Sequence, residues 1–319
     1  MPAFSAFAPG KAILFGEHAV VYNRPAIAVP VTEIQAKAYI KALPSAPKSE
    51  YIRIEAPDIR LSGLFSELPP EHPIAALILA VKTYLKLVSL PSFEIKLVSS
   101  IPIASGLGSG AAISIAAARA ICAFLGQSLT ADDFSAIAYE VEKIHHGTPS
   151  GIDNAVIAHG KPVYFVRNQP LQVIRIANPF SLVIADSGVP SLTREAVGKV
   201  RQNREAQPDR YESWFDEIAA LSEKARDILT NDSPEKIGEL MIKNHEILQR
   251  IGVSIPQLDH LVNVSMRSGA WGAKLSGAGC GGNMIAIAPT NKITEICDAL
   301  EQAGATRTVV SHLKPGRDI

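Results

Sequence analysis

The sequence predicts an α+β protein of two domains. Short strand-like runs alternate with turns over the first hundred residues, and the composition turns from strand-rich to helix-rich near residue 180. The chain of 319 residues is 47% apolar and 19% charged, enough to bury a core in each domain. The expected domains are residues 1–180 and 181–319.

Residues 12–15, 34–42, 51–56 and 93–98 read as strands, the second by its alternation of apolar and polar side chains. Residues 73–88 read as an apolar helix, with Ile74, Leu77, Ile78, Val81 and Leu85 at helical spacing. Residues 109–125 read as a buried Ala/Ile helix ended by Gly126. Thr130 opens the next, with Asp133 three residues on in a capping-box pattern, and it stops before Pro149. Strands follow near 162–166 and 182–186, with a turn at 188–190. Helices are expected over 192–205, 214–229, 234–250 and 257–268. Strand 283–288, helix 293–303 and strand 307–311 close the order. No internal repeat or low-complexity linker is visible.

Bulk properties exclude several classes. The formal charge is zero with no basic stripe, which argues against a nucleic-acid partner and for a compact ligand in a local pocket. Cys122, Cys280 and Cys297 are far apart and odd in number, so no disulfide framework or zinc spacing follows. The N-terminal stretch lacks the pattern of a signal peptide, and the most apolar runs are unsuited to spanning a bilayer. A soluble cytoplasmic protein with no membrane partner is expected.

The first chemical signal is Pro102-Ile103-Ala104-Ser105-Gly106-Leu107-Gly108-Ser109-Gly110-Ala111, between a strand and a helix. Glycines let successive backbone amides converge, and a helix start adds unpaired donors and a positive dipole end, a combination that cradles phosphate. A plain turn needs fewer small residues than Gly106, Gly108, Ser109 and Gly110. Gly106, Gly108 and Ala111 satisfy G-x-G-x-x-A, but a second helix follows where a dinucleotide fold needs a strand. No Gly-Lys-Ser/Thr follows either, so this is not a Walker A loop.

A second glycine cluster, residues 274–282, precedes a strand and suggests close backbone approach to something, such as the rim of the same site. Lys11 stands at a strand edge, where a lysine is usually solvated. Glu17 and His18 sit inside an apolar stretch where isolated charge is costly. Glu142 and Asp153 flank a Gly/Pro turn. Phosphoryl transfer needs a phosphate loop, oxygen ligands for Mg²⁺, a carboxylate for the substrate proton and a lysine for charge, and the chain holds a candidate for each.

Taken together these residues resemble the GHMP kinases, in the form found in mevalonate kinases. Pro9-Gly10-Lys11-Ala12-Ile13-Leu14-Phe15-Gly16-Glu17-His18-Ala19-Val20-Val21 resembles the first motif. Gly106 to Ala112 resembles the second, and Lys274 to Gly282 the third. His146-Gly147-Thr148-Pro149-Ser150-Gly151-Ile152-Asp153-Asn154 is similar to the catalytic segment. Leu248-Gln249-Arg250-Ile251-Gly252-Val253-Ser254 with Leu258-Asp259 is a further match, so the likeness covers most of the chain in order.

The resemblance implies a two-domain GHMP kinase fold, ribosomal protein S5 domain 2-like followed by ferredoxin-like, with the active site between the domains. It implies phosphorylation of the mevalonate C5 hydroxyl by ATP with Mg²⁺, giving 5-phosphomevalonate for isoprenoid precursor synthesis. Asp153 would be the base and Lys11 its catalytic partner. Pro102, Ala104, Ser105, Gly106, Leu107, Gly108, Ser109, Gly110 and Ala111 would bind the nucleotide. His18, Glu17, Thr193, Gly277 and Ala278 would lie at the substrate. Glu142 and Ser109 would serve the metal. The family's loop usually has two consecutive serines, the second a contributor to Mg²⁺ binding, and here that place is Gly110, with water able to fill it. The family is often a homodimer. The rivals are a phosphomevalonate, homoserine or sugar kinase of the same superfamily, a related decarboxylase, and a non-catalytic sensor on the same fold.

Overall fold

The computed structural model describes residues 3–46, 50–102, 105–146 and 149–315. The chain divides into two compact units, each assembled from separate stretches. The first holds residues 1–10, 34–102 and 108–160, and the second holds 11–33, 103–107 and 161–319. Strands β1 (Ala3–Phe15) and β2 (Ala26–Ala42), which pair with each other, each run from one unit into the other.

In the first unit β3 (Ile52–Ala56), β4 (Leu61–Leu64), α1 (Pro73–Tyr84), β5 (Phe93–Ser99), α2 (Ser109–Phe124), α3 (Ala131–His146) and α4 (Ile152–His159) follow in order. β2 from Ala36 to Ala42 lies antiparallel to β5, β5 lies parallel to β3, and β3 pairs antiparallel with β4. From Ile34 onward β2 alternates buried and more exposed residues, so one face meets the core. Helix α2 packs on β5 and is flanked by α1, α3 and α4. Its interior is Ala and Ile, whose small side chains allow close approach on several sides at once. Phe124 meets Phe4 and Phe93 edge-on, with centroids 5.7 and 5.4 Å away.

Local signals place the helix ends. Pro73 opens α1, and His72 Nδ1 accepts the Ile74 N–H. Gly126 turns left-handed after α2, and the N–H of Gln127 returns to the Cys122 carbonyl. Thr130 and Asp133 form a reciprocal box, Thr130 N–H to Asp133 Oδ2 at 2.7 Å and Asp133 N–H to Thr130 Oγ1 at 3.2 Å.

The second unit contains β6 (Val163–Phe165), β7 (Gln172–Val173), β8 (Phe180–Asp186), α5 (Thr193–Ala206), α6 (Pro208–Asn231), α7 (Ile237–Ile251), α8 (Pro256–Arg267), β9 (Gly272–Ser276), β10 (Asn283–Ala288), α9 (Ile293–Gln302) and β11 (Arg307–Leu313). The start of β2 pairs with β6, which pairs with β7. The last four strands form an antiparallel sheet in the order β11-β8-β10-β9. With α8 and α9 packed on it, this is the β-α-β-β-α-β arrangement of a ferredoxin-like domain.

Several elements differ from the sequence reading. Helix α1 ends at Tyr84, short of 88, because Lys86 takes a positive φ of 53° and turns the chain. β1 reaches back to Ala3. The segment after Gly151, to which the sequence reading assigns no element, is a helix, α4. Buried at almost every position, it carries no amphipathic period to read. β9 is likewise buried throughout and was hidden at the edge of the glycine cluster.

Candidate active site

Three contacts in the first unit orient its helices. A Cβ built on Gly110, in the first turn of α2, would stand 3.4 Å from Oε1 of Glu142 near the end of α3. At the other end of α3, Asp132 Oδ1 lies 2.9 Å from His159 Nε2 at the end of α4. Arg119 of α2 donates to the Ala158 carbonyl of α4 at 2.6 Å. So α3 runs antiparallel to both neighbours, α2 and α4 run parallel, and the first turns of α2 and α4 share one end. Half-buried Glu142 and half-buried Asp153 belong to that end.

Ser109 opens α2 after Gly108, which is left-handed at φ 79°. The amides of the first turn have no intrahelical acceptor, and the helix dipole makes this end positive. Gly110 is exposed, Ser109 and Gly108 are half-buried, and Ala111 packs into the core. Ala104 lies outside the described residues.

The second unit holds Ser105 to Leu107 of the loop and the first motif from Lys11 onward. Leu107 buries its side chain, and its carbonyl accepts the N–H of Lys11 at 3.0 Å. Ser105 is buried and its carbonyl accepts from Asn283 Nδ2. Gly106 has φ 82°, and a Cβ on it would meet nothing within 4 Å, so the space beside it is open. Pro102, the last loop residue of the first unit before the break, is half-buried. Lys11, expected to be solvated, is only 4% exposed. A buried ammonium at this strand is costly unless charge is arranged around it.

The third motif folds against these same residues. Ser276 Oγ accepts the Ile13 N–H at 3.1 Å and donates to the Ile13 carbonyl at 2.9 Å. His18 takes a positive φ of 60°, and its Nε2 lies 2.9 Å from the Ala278 carbonyl. A carbonyl only accepts, so Nε2 carries the proton. Burial holds His18 below the ordinary histidine range, leaving the ring neutral. A Cβ on Gly277 would lie 3.9 Å from the Gly106 carbonyl. Gly279 to Gly282 approach the chain itself: Cys280 N–H meets the Val253 carbonyl at 2.7 Å, and Gly282 N–H meets the Val189 carbonyl at 2.7 Å. Ser191 Oγ donates to the Gly279 carbonyl at 2.7 Å, which sets the entry to α5 and its exposed first residue, Thr193.

Glu17 behaves differently from a substrate contact. Its side chain has no exposure, and its carboxylate accepts from Lys274 Nζ, equally buried on β9. Desolvation raises Glu17 and lowers Lys274 from their usual ranges, and each charge partly offsets the other's shift. The sequence reading noted Lys274 only as the start of a motif. A charge within the apolar run of β9 was the available signal that it needed a buried counter-charge. Nearby, Leu275 N–H donates to His245 Nδ1 at 3.3 Å, and His245 Nε2 lies 3.1 Å from Asp259 Oδ1.

These features suit a phosphorylated nucleotide. In the first unit, the first turn of α2 presents backbone donors that suit phosphate oxygens; in the second, the space beside Gly106 is open. Glu142 at that helix start is an oxygen donor of the kind Mg²⁺ takes. Among the described residues no group of three His, Cys, Asp or Glu forms a metal cage. Mg²⁺ commonly binds through one or two carboxylates together with phosphate oxygens, so the donor set fits. No helix among the described residues is long and apolar enough to cross a membrane.

Comparison with known proteins agrees in sequence and fold. Residues 74–161 match the GHMP kinases N terminal domain, and residues 218–306 match the GHMP kinases C terminal family. A mevalonate kinase of Thermococcus sibiricus is 36% identical over 98% of this chain and 96% of its own. The crystal structure of the Methanococcus jannaschii mevalonate kinase superposes with a TM-score of 0.84 at 28% identity, covering 98% of this chain and 99% of that one. The L. major mevalonate kinase in complex with R-mevalonate shares the fold, with a TM-score of 0.85 at 24% identity over 98% of this chain and 97% of its own.

Proposed function

Because this chain belongs to the mevalonate kinase family of the GHMP kinases, we propose that Asp153 is the base of its reaction and Lys11 the charge that assists it. The activity is ATP-dependent phosphorylation of mevalonate. Residues 1–180 carry the nucleotide machinery and residues 181–319 form the C-terminal domain.

The observation that supports these roles is the shared end of α2 and α4. First-turn amides of α2, with Gly108, Ser109, Gly110 and Ala111, hold the triphosphate by backbone donors and dipole, and the family resemblance assigns Gly106 to the nucleotide as well. Glu142, with Ser109, would hold Mg²⁺, which would neutralise phosphate charge when bound. Asp153, in the first turn of α4, accepts the proton of the C5 hydroxyl. That oxygen forms its bond to the γ-phosphorus as the bond to the β,γ-bridging oxygen breaks, and ADP leaves with no covalent enzyme intermediate. The Lys11 ammonium offsets negative charge on the alkoxide and the transferring group. His18, Thr193, Gly277 and Ala278 hold the acceptor substrate.

A substrate panel tests this reading. Purified protein is given Mg-ATP with mevalonate, phosphomevalonate, homoserine or galactose, and ADP release is measured. Release with mevalonate alone is expected. Release with another acceptor and none with mevalonate would transfer the protein to a different member of the superfamily. Silence with every acceptor would favour a sensor.

A further inference from the structure

Glu17 stands between Gly16 and His18 in an apolar stretch, 257 residues from Lys274, yet the two side chains meet with no exposure to solvent. Burying two ions carries a large desolvation cost, and their attraction offsets it only when geometry is held. Lys274 Nζ is held: it also donates to the Leu275 carbonyl at 2.7 Å within its own strand. Oε2 of Glu17 has no hydrogen-bond partner among the described residues, so the carboxylate is anchored through one oxygen.

The pair is the middle rung of three. Ser276 grips Ile13 on one side, and His18 reaches the Ala278 carbonyl on the other. Lys11 also lies close enough for its charge to favour the Glu17 carboxylate. The segment carrying Lys11 and His18 is therefore registered on β9 and the loop after it by one charged and two uncharged contacts. An apolar side chain at position 17 could fill the same volume but would set no direction. The left-handed His18 needs direction, because its ring must keep Nε2 on one particular carbonyl.

We propose that Glu17 and Lys274 form a buried positioning pair that holds His18, and through it the substrate end of the site, without either side chain touching the substrate. The proposal rests on His18 contacting the acceptor substrate, as assigned above. It differs from that assignment in removing Glu17 from the substrate and bringing in Lys274.

The test uses Glu17→Gln, Lys274→Met and the double variant Glu17→Met/Lys274→Met. For each, KM for mevalonate and for ATP, kcat, thermal midpoint and the ¹⁵N signals of the His18 imidazole are measured. Each single variant is expected to raise KM for mevalonate roughly tenfold or more, the scale of a small misplacement, with KM for ATP unchanged. The double variant should recover thermal stability, since no charge is left stranded, yet keep the raised KM, no worse than the poorer single. The His18 signal should leave the Nε2-protonated position in all three. If a single variant fails to fold, the double variant carries the test.

Two results would overturn the proposal. A KM effect in Glu17→Gln with none in folded Lys274→Met would make Glu17 a direct contact. An unchanged KM and His18 signal in the double variant would make the pair plain packing. If the wild type releases no ADP with mevalonate, the functional reading fails, and the imidazole signal still reports whether the pair positions His18.

Discussion

Oε1 of Glu142 lies 3.4 Å from the point where a Cβ on Gly110 would stand. The first turn of α2 thus leaves room for a carboxylate beside it, at the position where the family resemblance leads one to expect a second serine. Gly110→Ser places a hydroxyl next to Glu142 at the edge of van der Waals contact. The change should add about 0.5 kcal/mol of stability from helix propensity. It should also lower the Mg²⁺ concentration for half-maximal activity, while Glu142→Gln raises it. A Mg²⁺ titration of ADP release reads both. No change in Mg²⁺ demand for either variant would remove this corner of α2 and α3 from the metal.

Asp153→Asn keeps the shape of the first turn of α4 and removes the proton acceptor. Its kcat should fall by at least ~10²-fold with nucleotide affinity intact, as for a positioned acid–base group. Lys11→Met should likewise depress kcat more than it raises KM for mevalonate. Steady-state kinetics with nucleotide binding by calorimetry decide the matter. An effect of Lys11→Met on KM alone would make it a binding residue.

Gly106 and Gly279 are both left-handed, yet their surroundings differ. A Cβ on Gly279 would stand 2.2 Å from the Val253 carbonyl oxygen, whereas one on Gly106 would meet nothing within 4 Å. Gly279→Ala should therefore cost roughly 3 kcal/mol or more, because backbone must shift as well as φ. Gly106→Ala should cost only about 1 kcal/mol, the left-handed penalty. Its main effect should be a raised KM for ATP, since the methyl occupies space offered to the nucleotide. Urea unfolding and ATP kinetics on the two variants separate these effects.

Burial holds both His18 and His245 below the ordinary histidine value, and for His245 the nearby Asp259 offsets part of that depression. The unfolded chain takes up these protons near pH 6.5 while the folded chain does not. Below that pH the unfolded state binds more protons, so stability is undiminished above about 6.5 and falls as pH drops toward the folded values. His245→Gln keeps an acceptor for the Leu275 N–H and removes one titrating group. Its thermal midpoint should fall less steeply between pH 7 and 5 than that of the wild type. Parallel profiles would show that His245 contributes nothing to acid sensitivity.

Much of the fold was legible because it follows from local chemistry. The Ala/Ile run of α2, its stop at Gly126, the Thr130–Asp133 box and the alternation after Ile34 all act within a few residues of themselves. Helix α4 and strand β9 were not legible, because they are buried on nearly all sides and carry no period. The glycines of the third motif were visible as a need for close approach. Only the folded chain shows that Gly279 approaches the backbone at Val253 and Gly281 the backbone at Val189.

The sequence by itself determined the membership of a kinase family and singled out a candidate phosphate loop and candidate acids at 142 and 153, since each is a short pattern with a chemical reason. The tertiary structure alone decided that Lys11 is buried, that Glu17 is spent on Lys274 and that α2 and α4 begin at the same end. The physical reason is sequence distance. A buried charge must find its counter-charge somewhere in the chain, and nothing local to Glu17 says that the partner lies 257 residues away.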